Sequence, residues 1–229
     1  MGLLWVVDTG NRRVVAINRR GETHSILGAA RLIEPVALAI FEDDLFIADR
    51  AANSIVSCSL SGSRETTRFK IASPQSIAFD PSLRRLIVAG DTLSFLNVDN
   101  GLIDKEPELP TAVCLSPDRR RIYLATKESE GFTSILERSS GKERVLCSVP
   151  HDVSFLTNTP AGLLAVHSAG LVGINLHHGT FTTVWKTNKV VRAATALPSK
   201  SYAVSCGNEV LVVQRDGGSA TPFPGVTRE

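Results

Sequence analysis

Along the 229 residues, short apolar runs alternate with clusters of Pro, Gly, Asp, Asn and Ser. Pro and Gly interrupt every candidate 3.6-residue pattern, so the runs predict β-strands and no amphipathic helix. Aligned with itself, the chain repeats one order of signals. A Pro or turn residue precedes a first apolar strand, and a turn with Asp, Pro or Gly leads into a second. A third strand follows, then a Gly-containing turn and a more polar fourth strand. In one unit Pro35 opens the strand to Phe41, followed by LFIAD (45–49), SIVSCSL (54–60), Ser61-Gly62 and RETTRF (64–69). The units opened by Pro74, Pro110 and Pro150 follow the same plan, and VVRAATAL (190–197), SYAVSC (201–206) and EVLVVQR (209–215) form a less regular fifth.

The prolines at 35, 74, 110 and 150 stand 39, 36 and 40 residues apart, the length of one four-stranded propeller blade. The first 30 residues supply LLWVVD (3–8), RVVAIN (13–18) and THSIL (23–27), which fit the second, third and fourth strands of a further blade. At the other end the chain supplies PFPGVTRE (222–229), in which Pro224-Gly225-Val226 has the look of a first strand. The expectation is an all-β, six-bladed β-propeller of four-stranded antiparallel blades, one domain over residues 1–229. Pairing of residues near Pro224 to Glu229 with residues 3–8 would close the ring and remove exposed strand edges.

LLWVVDTGNRRVVAINRRGE (3–22) resembles the NHL repeat: an apolar strand ends in Asp8, a short turn holds Asn11, and Arg13-Val14 opens the next strand. LFIADRAANSIVSCSLSG (45–62) repeats it with Asp49, Asn53 and Ile55 and one extra turn residue. An Asp at a strand end can accept backbone N–H bonds in the turn that follows, and Asn tolerates left-handed geometry there. Asp8, Asn11, Arg13, Asp49 and Asn53 are thus read as structural residues. The later units keep the spacing without the Asp/Asn pair. The resemblance implies the propeller fold and leaves open protein binding, RNA binding or catalysis.

Composition narrows the choice. Lys plus Arg is 25 and Asp plus Glu is 23, a formal charge of +2, so no strong general pull toward nucleic acid or an anionic membrane is expected. No apolar run approaches the ~18 residues of a membrane-spanning helix. The N-terminus lacks the pattern of a signal peptide. Cys58, Cys114, Cys147 and Cys206 form no C-x-x-C pair, which argues for buried core thiols and a soluble chain in the reducing cytoplasm.

Candidate chemistry is sparse. The sequence has no nucleophile elbow, phosphate loop, dinucleotide fingerprint or H-E-x-x-H. His177-His178 sits in a predicted turn. His151 enters an inner strand, but the matching positions hold Val36, Gln75, Thr111 and Val191, which are not zinc ligands. Related six-bladed hydrolases hold calcium with a Glu, two Asn and an Asp. Here Glu34 and Asp152 are the only carboxylates in plausible places, so no metal and no cofactor is expected. Arg19, Arg20, Arg84, Arg85, Arg119, Arg120 and Arg121 fall in first-to-second or third-to-fourth turns, which open on one face of a propeller. They are the candidate binding residues for RNA or another polyanion, although Asp43, Asp44, Asp80 and Asp118 share those turns. The leading expectation is a non-catalytic scaffold that binds a protein partner. The alternatives are an RNA- or polyanion-binding propeller and a metal-dependent, lactonase-like or lyase-like enzyme.

Overall fold

A computed structural model describes residues 3–18, 20–27, 31–60, 67–197 and 201–223. These residues build six antiparallel sheets, with one single-turn 3-10 helix at Thr9–Asn11. The chain divides into two compact units, Met1–Pro110 and Thr111–Glu229.

In the N-terminal unit, sheet 1 holds three strands, β1 (Leu4–Asp8), β2 (Arg13–Ile17) and β3 (Thr23–Leu27). Sheet 2 is β4 (Pro35–Phe41), β5 (Asp44–Asp49), β6 (Ser54–Ser59) and β7 (Thr67–Lys70). Sheet 3 is β8 (Ser76–Asp80), β9 (Arg85–Ala89), β10 (Leu93–Asn97) and β11 (Ile103–Glu106). Each is a simple meander of neighbouring strands. The apolar runs are continuous because both faces of the middle strands are buried. Along β5, side chains alternate between the two faces. Leu45 and Ile47 pack toward sheet 1 with Val14, Leu32 and Val56, while Phe46 and Ala48 pack toward sheet 3 with Ile77, Leu86 and Val88.

The C-terminal unit repeats the plan. Sheet 4 continues from Pro110 as β12 (Pro110–Leu115), β13 (Ile122–Ser129), β14 (Phe132–Ser139) and β15 (Lys142–Val149). Sheet 5 is β16 (Val153–Thr159), β17 (Gly162–His167), β18 (Gly170–Asn175) and β19 (Thr180–Lys186). Sheet 6 is β20 (Val191–Ala196), β21 (Ser201–Cys206), β22 (Glu209–Gln214) and β23 (Ala220–Pro222). On β17, Leu163 and Ala165 face the sheet 4 core around Tyr123 and Ile135, while Leu164 and Val166 face the sheet 6 core around Tyr202 and Val204. The third-to-fourth turns of sheets 5 and 6 set Gly179 and Gly217, both at positive φ, so close to the Leu146 and Val184 carbonyls that a Cβ would overlap them.

Pro222 ends β23 beside β22, and the Phe223 N–H donates to the Val210 carbonyl at 2.8 Å. Residues 222 and 223 therefore complete sheet 6. The expected closing segment, residues 224–229, lies outside the described residues.

Candidate functional site

In an antiparallel meander, successive connections alternate between the two ends of the sheet. The connection into a first strand and the second-to-third turn therefore share one end. In the C-terminal unit that end carries a linked set of side chains. Thr133, near the start of β14, donates its hydroxyl to the His151 carbonyl at 2.8 Å and accepts the Val153 N–H at 3.1 Å. Lys127 Nζ lies 3.4 Å from the Asp152 carboxylate. His151 stacks on His167, the last residue of β17, with ring centroids 3.8 Å apart and planes within 5°.

His167 is 3% exposed. Its Nδ1 accepts the Ala169 N–H at 3.3 Å, which leaves the proton of the neutral ring on Nε2, a buried atom without an acceptor. Burial first, then the positive potential of His151 and Lys186, pushes the His167 imidazole down to about 4. Parallel stacked rings present their nitrogens side by side rather than toward one point, a geometry that suits packing better than chelation. Among the described residues, no three His, Cys, Asp or Glu side chains converge as they would around a metal ion.

The equivalent end of the N-terminal unit is organised by carboxylates. Asp49, fully buried at the end of β5, accepts the backbone N–H groups of Ile33 at 2.9 Å and Glu34 at 2.8 Å. Its donors lie in the connection entering the same sheet, not in the turn that follows, as its sequence position had suggested. Glu34 pairs with Arg50, whose guanidinium holds that carboxyl below the usual range. Asp8, at the matching place in sheet 1, accepts side-chain bonds from Asn11 Nδ2 at 2.9 Å and Arg13 Nε at 2.8 Å. Burial raises the Asp8 carboxyl, but the bonds from Asn11 and Arg13 outweigh it and leave the group below its ordinary value. The left-handed residue of this turn is Arg12; in sheet 2 it is Asn53, whose Oδ1 accepts the Ser73 N–H at 2.8 Å.

The basic turns lie at the opposite end of their sheets. Arg84 Nε donates to both Asp99 oxygens, at 3.0 and 2.9 Å. Arg85 Nε stands 3.5 Å from the buried Asp80 carboxylate, with its guanidinium 4.7 Å from the Phe95 ring centre. Arg121 lies 3.8 Å from the buried Glu137 carboxylate, which Arg144 also contacts at 2.9 Å. Arg20, Arg119 and Arg120 are exposed, and Arg19 lies outside the described residues.

Sequence reasoning passed over three exposed apolar residues that stand just before first strands: Ile33 before β4 (53% exposed), Leu109 before β12 (61%) and Val190 before β20 (53%). It also passed over Phe132, 47% exposed at the β13–β14 turn. For Leu109, Val190 and Phe132 the signal was present as an apolar residue in an otherwise polar connection. His167 was legible too, because it ends GLLAVH where Asp49 ends LFIAD.

No known family model and no curated protein matches the sequence. Solved structures do. The structure of a nidogen/laminin complex matches with a TM-score of 0.80 at 16% identity, over 96% of this chain and 91% of that one. A streptogramin B lyase structure matches with a TM-score of 0.69 at 15% identity, over 99% and 80%. Virginiamycin B lyase from Staphylococcus aureus matches with a TM-score of 0.65 at 15% identity, over 99% and 82%. At such identities the likeness concerns the fold, and with the six antiparallel sheets it establishes the chain as an all-β, six-bladed β-propeller with four-stranded antiparallel blades.

Proposed function

We propose that the chain is a protein-binding propeller of the NHL kind, and that its docking positions are the connections into first strands. The observation that carries this reading is the recurrence of Ile33, Leu109 and Val190. Single exposed apolar residues are ordinary on a protein surface. Here apolar residues of similar size stand one or two residues before the first strand in blades 2, 4 and 6, each at the end of its own blade where that strand begins. The neighbours include a protein solved in a nidogen/laminin complex, a precedent for protein recognition on this fold. The Asp8–Asn11–Arg13 set supports the NHL assignment. The four free cysteines suit a reducing, intracellular setting.

The polyanion alternative draws less support, because Arg84, Arg85 and Arg121 face carboxylates of their own sheets. Two neighbours are lyases, yet His151 and His167 do not converge on a common point. The test is affinity capture by the native chain against an Ile33→Ser, Leu109→Ser, Val190→Ser triple variant with an unchanged melting temperature. A partner recovered by the first and lost by the second is the expected result. Equal recovery by both overturns the reading.

A further inference from the structure

We propose that the β13–β14 hairpin tip is a preformed docking element for a partner segment that presents an arginine side chain. This rests on the protein-binding reading above and names the chemistry of one contact within it. The second and third strands of sheet 4 are eight residues long, against six in sheets 5 and 6. The pairing Ser129↔Phe132 carries the hairpin to its tip, and a bulge leaves Glu128 without a ladder partner. Bulges re-aim side chains and recur beside functional surfaces.

The extension is braced. Glu128 folds back on the hydroxyls of Ser134 and Ser148, the latter at 2.9 Å, and those bonds hold its carboxyl below the ordinary range. Lys127 pairs with Asp152, and Thr133 bonds across to His151 and Val153. Beyond these anchors, Glu130 is exposed, and Phe132 is 47% exposed. A large aromatic side chain held outward on a rigid strand end loses little freedom on binding and makes a good anchor.

Charge selects the partner. Lys127 and Asp152 neutralise each other, which leaves Glu128 and Glu130 as the net charge of the tip. A carboxylate two residues from an open aromatic ring recognises a guanidinium well. The ring face takes the cation and the planar fork meets the carboxylate. A lysine ammonium would gain the charge contact and less of the stacking.

The experiment is a chemical-shift titration of the whole labelled chain with a short synthetic peptide alternating arginine and leucine. A peptide with glutamate in place of arginine is the control. The expected shifts centre on residues 127–133 and Asp152. Affinity should fall about tenfold in Phe132→Ala and in Glu130→Lys, the scale of a lost anchor or cation contact, and weaken with salt. Both positions are exposed, so melting temperatures should not move. No shift, shifts elsewhere, or equal response to the glutamate peptide overturns the proposal. Loss of binding in Val190→Ser with retention in Phe132→Ala would do so too, while leaving the protein-docking reading standing.

Discussion

Replacing Asp49 with Ala removes a fully buried carboxylate that accepts two backbone N–H groups, from Ile33 at 2.9 Å and Glu34 at 2.8 Å. A hydrogen bond to a charged acceptor contributes about 1.5–3 kcal/mol net. Two would total roughly 3–6 kcal/mol if they were independent and their donors stayed dry. They are not independent, because one side chain makes both. Ile33 is exposed, so water can reach the freed donors. The expected loss is therefore about 2–4 kcal/mol. Asp49→Asn keeps the shape and one acceptor oxygen but turns an NH2 group toward the second donor, and it should fall between wild type and Ala. Asp8→Ala is the comparison. Its carboxylate is 27% exposed and is held chiefly by the side chains of Asn11 and Arg13, so the cost should be about 0–1 kcal/mol. Urea unfolding supplies the stabilities, and hydrogen exchange at the Ile33 and Glu34 amides localises the effect. Equal losses for Asp8→Ala and Asp49→Ala, or unchanged exchange at those two amides, would refute the reasoning.

Two further outcomes follow from the structure. His167 is neutral when folded and titrates near 4 instead of 6.5, so between those values the unfolded chain binds a proton that the folded chain does not. Its stabilising contribution is complete above about pH 6.5 and declines as the pH falls toward 4, by about 3 kcal/mol in all; urea titrations should show His167→Phe removing this slope. Gly217→Ala combines a positive φ of 74° with a Cβ driven onto the Val184 carbonyl, and should lower stability by about 2–4 kcal/mol, whereas Gly207→Ala, with open space around its Cβ, should cost only about 1 kcal/mol.

Most of the strands were legible because their middle residues are buried on two faces, which writes runs such as LFIA (45–48) and LLAV (163–166) into the sequence. The turns were legible because Gly and Asn stand where φ is positive, as at Asn53, Gly179 and Gly217. What escaped depends on pairs distant in sequence. Arg84 meets Asp99 across a sheet, and nothing local to either residue announces it. Asp49 was picked out correctly as a strand-end carboxylate, but its donors lie 15 and 16 residues earlier. His151 was weighed alone because a stack on His167 requires knowing which strands neighbour each other. The four-residue fourth strands, β7 and β11, gave weak signals because their outward positions are polar.

The claim that the connections into first strands are the docking positions meets its sharpest test within residues 1–110. Ile33 and Leu109 lie in such connections, while Leu83 and Leu102 are equally exposed in the other turns. The measurement is the affinity of a captured partner for four single variants, Ile33→Asp, Leu109→Asp, Leu83→Asp and Leu102→Asp, by titration calorimetry. The account predicts a loss of about tenfold or more for the first two, as for a buried apolar anchor, and less than about twofold for the others. Loss in Leu83→Asp and Leu102→Asp, with full affinity in Ile33→Asp and Leu109→Asp, would contradict it.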